Sequence, residues 1–154
     1  MARAKLLVDT NVLIDFLSVR KPFYDEARLL MVAGRVGEFE LWMTSSQMTD
    51  LVYILSDGGK QALMPSVLER LRGLRTFVEV FAVGGAEIDR MLTSAWKDPE
   101  DALMFESALS LRADAIITRN AKDFEGSLVR AMTAGEYFDW LRDAQGIDYR
   151  EIAF

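Results

Sequence analysis

The stretch LLVDTNVLIDFL, Leu6–Leu17, limits the possible folds more than any other part of this chain. Leu6, Leu7 and Val8 form a short apolar run that ends at Asp9, and Thr10 and Asn11 lead from there into a second, almost wholly apolar run. A short apolar run without polar alternation reads as a buried strand of a parallel sheet. The acid at its end then stands at the carboxyl edge of that sheet, where open α/β sheets bind their ligands. Asp9, Thr10 and Asn11 also have a simpler role, because all three are good helix caps.

Further along, β-type runs alternate with helical spacing. Strands are expected at Lys5–Val8, Leu41–Thr44, Thr76–Val83, Ala115–Thr118 and, briefly, Ser127–Arg130. Helices are expected over Val12–Leu17, Phe23–Val36, Gln47–Leu55, Gln61–Leu71, Ala86–Ala95, Pro99–Arg112 and Ala134–Asp143. The last opens with Thr133 and Glu136 in capping-box spacing. Right-handed crossovers between parallel strands place helices on both faces of a sheet. The expected fold is therefore α/β, a three-layer α/β/α sandwich with a parallel central sheet of four to five strands. The length of 154 residues suits one domain, expected over residues 1–145, with residues 146–154 as a C-terminal tail.

Histidine and cysteine are both absent. Disulfides, thiolate catalysis and sulfur-ligated zinc are thereby excluded, and any chemistry rests on carboxylates, hydroxyls and amides with a hard metal ion. The chain has 18 basic and 24 acidic side chains, for a net charge of -6. A nucleic-acid partner bound by charge alone calls for a basic protein, so such a partner here needs a local basic patch or a bridging cation. Asp9 and Asp15 interrupt what would otherwise be a leader-like apolar start, and no run approaches the roughly 20 residues of a membrane span. A soluble cytoplasmic protein is expected.

Acidic or amide side chains stand at four places where strands end or the following helices begin. Asp9 is the first. Asp50 lies within the apolar helix QMTDLVYIL, where aspartate is a poor interior residue; its simpler role is to face solvent. Asp98 with Pro99 has the pattern of an N-cap followed by a first-turn proline, and Asp101 falls where capping-box acids sit. Glu106, five residues beyond Asp101, is expected to point away into solvent. At the fourth place a strand ends at Thr118, and Asn120 and Asp123 follow in what turn chemistry alone would explain. In a doubly wound sheet these ends converge on one crevice. Carboxylates crowded there without counter-charge raise at least one pKa, a conflict that a divalent cation removes. Oxygen-only ligands select magnesium or manganese.

The segments VDTNVLID (Val8–Asp15), PFYDEARLL (Pro22–Leu30), SSQMTDLVYIL (Ser45–Leu55), DPEDALMFESAL (Asp98–Leu109) and ADAIITRNAKDF (Ala113–Phe124) together resemble the PIN-domain family, specifically its VapC-like ribonuclease toxins and their relatives. The resemblance implies a metal-dependent endoribonuclease using Mg2+ or Mn2+, with Asp9, Asp50 and Asp101 as metal-binding acids and Asn120 at the fourth catalytic place. Asp50 is shorter than the glutamate common in the family, and Asn120 replaces its usual aspartate, which favours a one-metal site. Asn11 and Thr118 match the polar residues that support the cluster, with Asp98 and Asp123 as an outer shell. Arg119, Lys122 and Lys97, together with Arg20 and Lys21, would seat the RNA backbone. The resemblance further implies products with a 5′-phosphate and a 3′-hydroxyl, a cognate antitoxin as partner and a homodimer.

Two other readings compete. The departures at Asp50 and Asn120 suit a catalytically silent member of the same fold that binds RNA or protein. A haloacid-dehalogenase-like phosphatase also places an aspartate after its first strand, but it needs a second acid two residues on, where this chain has Asn11.

Overall fold

The computed structural model describes residues 2–151, and the last three residues of the expected tail lie outside the described residues. Five strands form one all-parallel sheet: β1 (Lys5–Val8), β2 (Glu40–Thr44), β3 (Val78–Phe81), β4 (Ala115–Ile117) and β5 (Ala131–Met132), in the order β3-β2-β1-β4-β5. The helices among the described residues are α1 (Thr10–Leu17), α2 (Tyr24–Arg35), α3 (Ser45–Leu55), α4 (Met64–Leu74), α5 (Gly85–Leu92), α6 (Pro99–Leu111) and α7 (Ala134–Gln145). This is the expected three-layer sandwich.

Alternate strand residues feed two cores, as the pleat requires. Leu6, Val8, Leu41, Met43, Ala115 and Ile117 pack with α1, α2, α3, α4 and α7. Leu7 and Ile116 point to the other face and meet Met104, Phe105, Ala108 and Leu111 of α6. Gly34 of α2 is required by this packing: a Cβ there would stand 2.3 Å from Leu41 Cδ1, and Leu41 has no room to withdraw.

Three expectations need correction. The fifth strand is Ala131–Met132 rather than Ser127–Arg130, because the segment before it turns at Gly126 (φ +83°) and enters the ladder only at the Arg130 carbonyl, which accepts the Ile116 N–H at 2.8 Å. The fourth helix begins at Met64, with Pro65 in its first turn and a separate 3₁₀ turn over Gln61–Leu63. Glu106 is buried, not solvated: its Oε2 accepts from Arg90 Nε at 2.7 Å, tying α6 to α5. The segment after Gly146 docks on the domain, where Tyr149 is buried and its hydroxyl donates to Glu38 Oε2 at 2.8 Å. No helix among the described residues is long and apolar enough to cross a membrane.

Candidate active site

The strand order reverses direction between β1 and β4, and a cleft of about 500 Å³ opens beyond their carboxyl ends. That is the switch-point crevice of doubly wound sheets. Asp9 is the first residue past β1. Its backbone N–H donates to the Ile117 carbonyl at 2.8 Å, which fixes it against β4. Asp9 Oδ1 accepts the Thr10 N–H at 2.8 Å, so this acid does cap α1, and Oδ2 accepts the Thr118 hydroxyl at 2.8 Å. A carboxylate has about four acceptor positions, so both oxygens retain capacity toward the cleft. Thr118 Oγ1 also accepts the Asn120 N–H at 3.0 Å, and Asn11 Oδ1 accepts the Arg119 N–H at 3.3 Å. These bonds register the segment after β4 against the start of α1.

Asp50 reaches the cleft from α3. That helix is started by a capping box, in which Thr44 Oγ1 accepts the Gln47 N–H and Gln47 Oε1 accepts the Thr44 N–H. The buried Gln47 amide then donates to the Val8 carbonyl at 2.9 Å and to Thr10 Oγ1 at 3.1 Å. Asp50 follows Gln47 by three residues and so lies on the same helix face. Asp98 caps α6 by accepting the Glu100 N–H at 2.8 Å, and Asp101, half-buried, sits in the first turn. Asn120 and Asp123 come from the segment after β4. Asp9, Asp50, Asp98, Asp101, Asn120 and Asp123 all line the one cleft.

The charges conflict there. Burial, followed by the nearby Asp98, Asp9, Asp123 and Glu100 carboxylates, pushes the Asp101 carboxyl up to about 6. Burial also raises that of Asp9, against the lowering effect of the Thr118 and Thr10 hydrogen bonds, with Asp123 and Asp98 adding to the rise. The electrostatic centre is therefore Asp9, Asp98, Asp101 and Asp123, while Asp50 faces it from α3. Arg20 is the basic residue lining the cleft. Lys97 and Lys122 are exposed beside Asp98 and Asp123. Arg119 is engaged elsewhere, its Nε 2.7 Å from Asp15 Oδ2 and its guanidinium 4.1 Å from the centre of the Phe23 ring.

Among the described residues, no three acidic side chains are gathered tightly enough to hold an ion with protein ligands alone. Magnesium usually keeps several waters and takes one or two carboxylates, so an open, all-oxygen set with uncompensated negative charge fits a hydrated hard cation. Two residues that organise the site escaped the sequence reading. Asp15, 1% exposed, holds Arg119 and thereby the segment bearing Asn120; Gln47 holds α3 to β1. An acid inside the apolar run Val12–Leu17 was the available signal for Asp15. Nothing local marks Gln47 beyond its capping-box spacing from Thr44.

The family model described as PIN domain matches residues 5–122. In fold, the chain is similar to a toxin-antitoxin complex from Klebsiella pneumoniae, with 24% identity, a TM-score of 0.59 and coverage of 84% of this chain and 97% of that one. It is similar to DNA-bound VapBC from Salmonella typhimurium at 21% identity and a TM-score of 0.61, covering 85% of this chain and 98% of that one. VapBC-1 from nontypeable Haemophilus influenzae gives 19% identity and a TM-score of 0.61, with the same coverage of 85% and 98%. No curated protein matches.

Proposed function

We propose a nuclease function from the premise that this chain belongs to the PIN-domain family: it is a metal-dependent endoribonuclease that hydrolyses RNA phosphodiester bonds. The observation that carries the reading is the convergence of Asp9, Asp50, Asp98, Asp101 and Asp123 on one crevice, with Asp101 pushed up to about 6 by burial and its neighbours. Negative charge concentrated at a switch point, without matching basic groups, suits a site that works with a divalent cation.

Asp9 and Asp101 would hold the ion, with Asp50 contributing from the facing helix. A bound magnesium or manganese ion would supply an activated water and neutralise charge on the phosphoryl oxygens. Thr118 and the Thr10 N–H keep the Asp9 carboxylate oriented, so its free acceptor positions stay toward the cleft. Asn120 is held at the rim through its backbone bond to Thr118 and presents an uncharged amide beside the acids. Arg20, Lys97 and Lys122 would meet the substrate backbone around the acidic centre. Attack by water on the phosphorus, with the P–O3′ bond breaking and the 3′-oxygen leaving as a hydroxyl, would give a 5′-phosphate and a 3′-hydroxyl.

A cognate antitoxin and a homodimer belong to the same proposal. Toxin-antitoxin assemblies stand among the proteins of similar fold, and α3 and α4 expose Tyr53, Ile54 and Leu68, the kind of apolar surface that a protein partner covers. The catalytically silent reading keeps one observation in its favour, the absence among the described residues of a closed three-carboxylate group.

The test is cleavage of single-stranded RNA with magnesium or manganese, with a chelator, and with Asp9→Asn. Metal-dependent cleavage that falls at least about 100-fold in a folded Asp9→Asn protein supports the proposal. Equal cleavage by Asp9→Asn, or none by the wild type with either metal, overturns it.

A further inference from the structure

The ladder between β1 and β2 stops one step short, at the edge where the crevice opens. β1 pairs with β4 as far as Val8 with Ile117, and β2 pairs with β3 as far as Thr44 with Phe81. Between themselves, β1 and β2 pair only as far as Leu7 with Trp42. At the start of that ladder the Glu40 N–H donates to the Ala4 carbonyl at 2.8 Å. Ladder bonds recur at every second residue of each strand, so the same register, two steps on, would bring the Thr44 N–H to the Val8 carbonyl. A side chain takes both groups instead. The Thr44 N–H donates to Gln47 Oε1 at 2.7 Å, and the Val8 carbonyl accepts from Gln47 Nε2 at 2.9 Å. An amide set between donor and acceptor keeps them farther apart than the roughly 2.9 Å of a direct bond.

The capping box of α3 does not by itself call for glutamine. Glutamate would accept the Thr44 N–H equally well, but a carboxylate has no N–H to give. Gln47 spends its amide donors on the Val8 carbonyl and, at 3.1 Å, on Thr10 Oγ1, the residues on either side of Asp9. Its side chain is 4% exposed, so water does not compete for these bonds. Asp50 follows one turn later on the same face of α3 and lines the crevice with Asp9. One buried amide therefore grips the chain around Asp9 and fixes where the helix carrying Asp50 begins.

We propose that Gln47 is a positioning residue for the metal site: its carboxamide, standing in for one ladder bond, holds the carboxyl ends of β1 and β2 apart and so sets the separation of Asp50 from Asp9. The inference rests on the nuclease reading for its ion, while the spacing itself can be read without metal.

The experiment combines metal-free crystal structures of the wild type and Gln47→Met with manganese titrations of the wild type, Gln47→Met, Asp50→Asn and the double variant. Methionine keeps an unbranched stem but offers the Val8 carbonyl no donor. The separation of the Asp9 and Asp50 carboxylates should change by more than about 0.5 Å, the tolerance within which a working site is held. Replacing a residue that orients metal ligands typically costs about 10–100-fold in affinity, so each single variant should raise the manganese Kd at least about ten-fold. Because Gln47 acts through Asp50, the double variant should bind within about two-fold of the weaker single one, whereas independent losses would multiply. An unchanged separation, either single variant binding like the wild type, or losses that multiply overturns the proposal. If Gln47→Met does not melt cooperatively, Gln47→Asn, which carries the amide on a stem one methylene shorter, is measured in its place with the same expectations. If the wild type binds no manganese, the nuclease reading falls and the separation alone decides: a shift sustains the spacing role of Gln47, and no shift overturns both.

Discussion

Asp101 sits in the first turn of α6, where the helix dipole favours an acid by about 0.3–1 kcal/mol, yet its carboxyl is pushed up to about 6. Burial and four neighbouring carboxylates outweigh the dipole. Between about pH 4 and 6 the folded protein therefore retains a proton that the unfolded chain has released, so metal-free stability falls as pH rises through that window. Above pH 6 the whole deficit is present. Asp101→Asn should accordingly raise the melting temperature of the metal-free protein at pH 7.5, by about 2–4 °C for roughly 1 kcal/mol, a figure reduced for the solvent screening of a half-buried group. Near pH 3.5 the two proteins should melt alike. Thermal melts at both pH values check this, and a wild type more stable than Asp101→Asn at pH 7.5 without metal would refute it. That some carboxyl in the crevice would be raised was legible from the crowding of acids at the strand ends. Which acid was not, because Asp98 and Asp101 carry the same capping signature. Only the fold turns Asp101 toward Asp9 and leaves Asp98 on the Glu100 N–H.

Between elements, the site is held by a few side-chain ties. Asp15 of α1, buried and paired with Arg119, anchors the segment that follows β4. Removing one partner of a buried ion pair costs about 3–5 kcal/mol; since Arg119 is half-buried, Asp15→Ala should lie near 3 kcal/mol, a fall of about 6–12 °C in Tm. Hydrogen exchange at the Arg119 and Asn120 amides should quicken in the same variant, and unchanged protection there would show that the pair does not order the segment. On the far side of the core, Gly34→Ala forces a methyl group onto Leu41. The usual helix gain of about 1 kcal/mol is set against an overpacking cost of about 1–3 kcal/mol, so denaturant unfolding should show a net loss; a gain would mean that Leu41 can repack. Elements with strong periodicity or caps were legible in the sequence, as at α7 with Thr133 and Glu136. The two-residue β5 was misplaced because Ser127–Arg130 has strand composition, whereas the Gly126 turn delays its entry into the ladder. Glu106 was misjudged for a related reason: its partner Arg90 lies 16 residues away on another helix, a pairing that no local pattern reveals.

For the molecule as a whole, the sheet order β3-β2-β1-β4-β5 places Asp9 and Thr118 immediately past the ends of two adjacent central strands and so turns four separated segments into one crevice. Alternating strands and helices implied that convergence. The width of the crevice was not legible, since it depends on how far α3 and α6 stand from the sheet edge, and the acids prove less tightly gathered than a shared ligand set for Asp9, Asp50 and Asp101 would require. A hydrated ion would bridge such a gap. Manganese at about a hundred times its Kd should add about 2.7 kcal/mol to the folded state, seen as a rise of several degrees in Tm that Asp9→Asn largely loses. The most direct measurement is the anomalous difference density of a manganese-soaked crystal. The account predicts one strong peak within coordination distance of Asp9 and Asp101 carboxylate oxygens. A crevice free of anomalous signal at saturating manganese, with both carboxylates bonded only to their own helix ends, would contradict it.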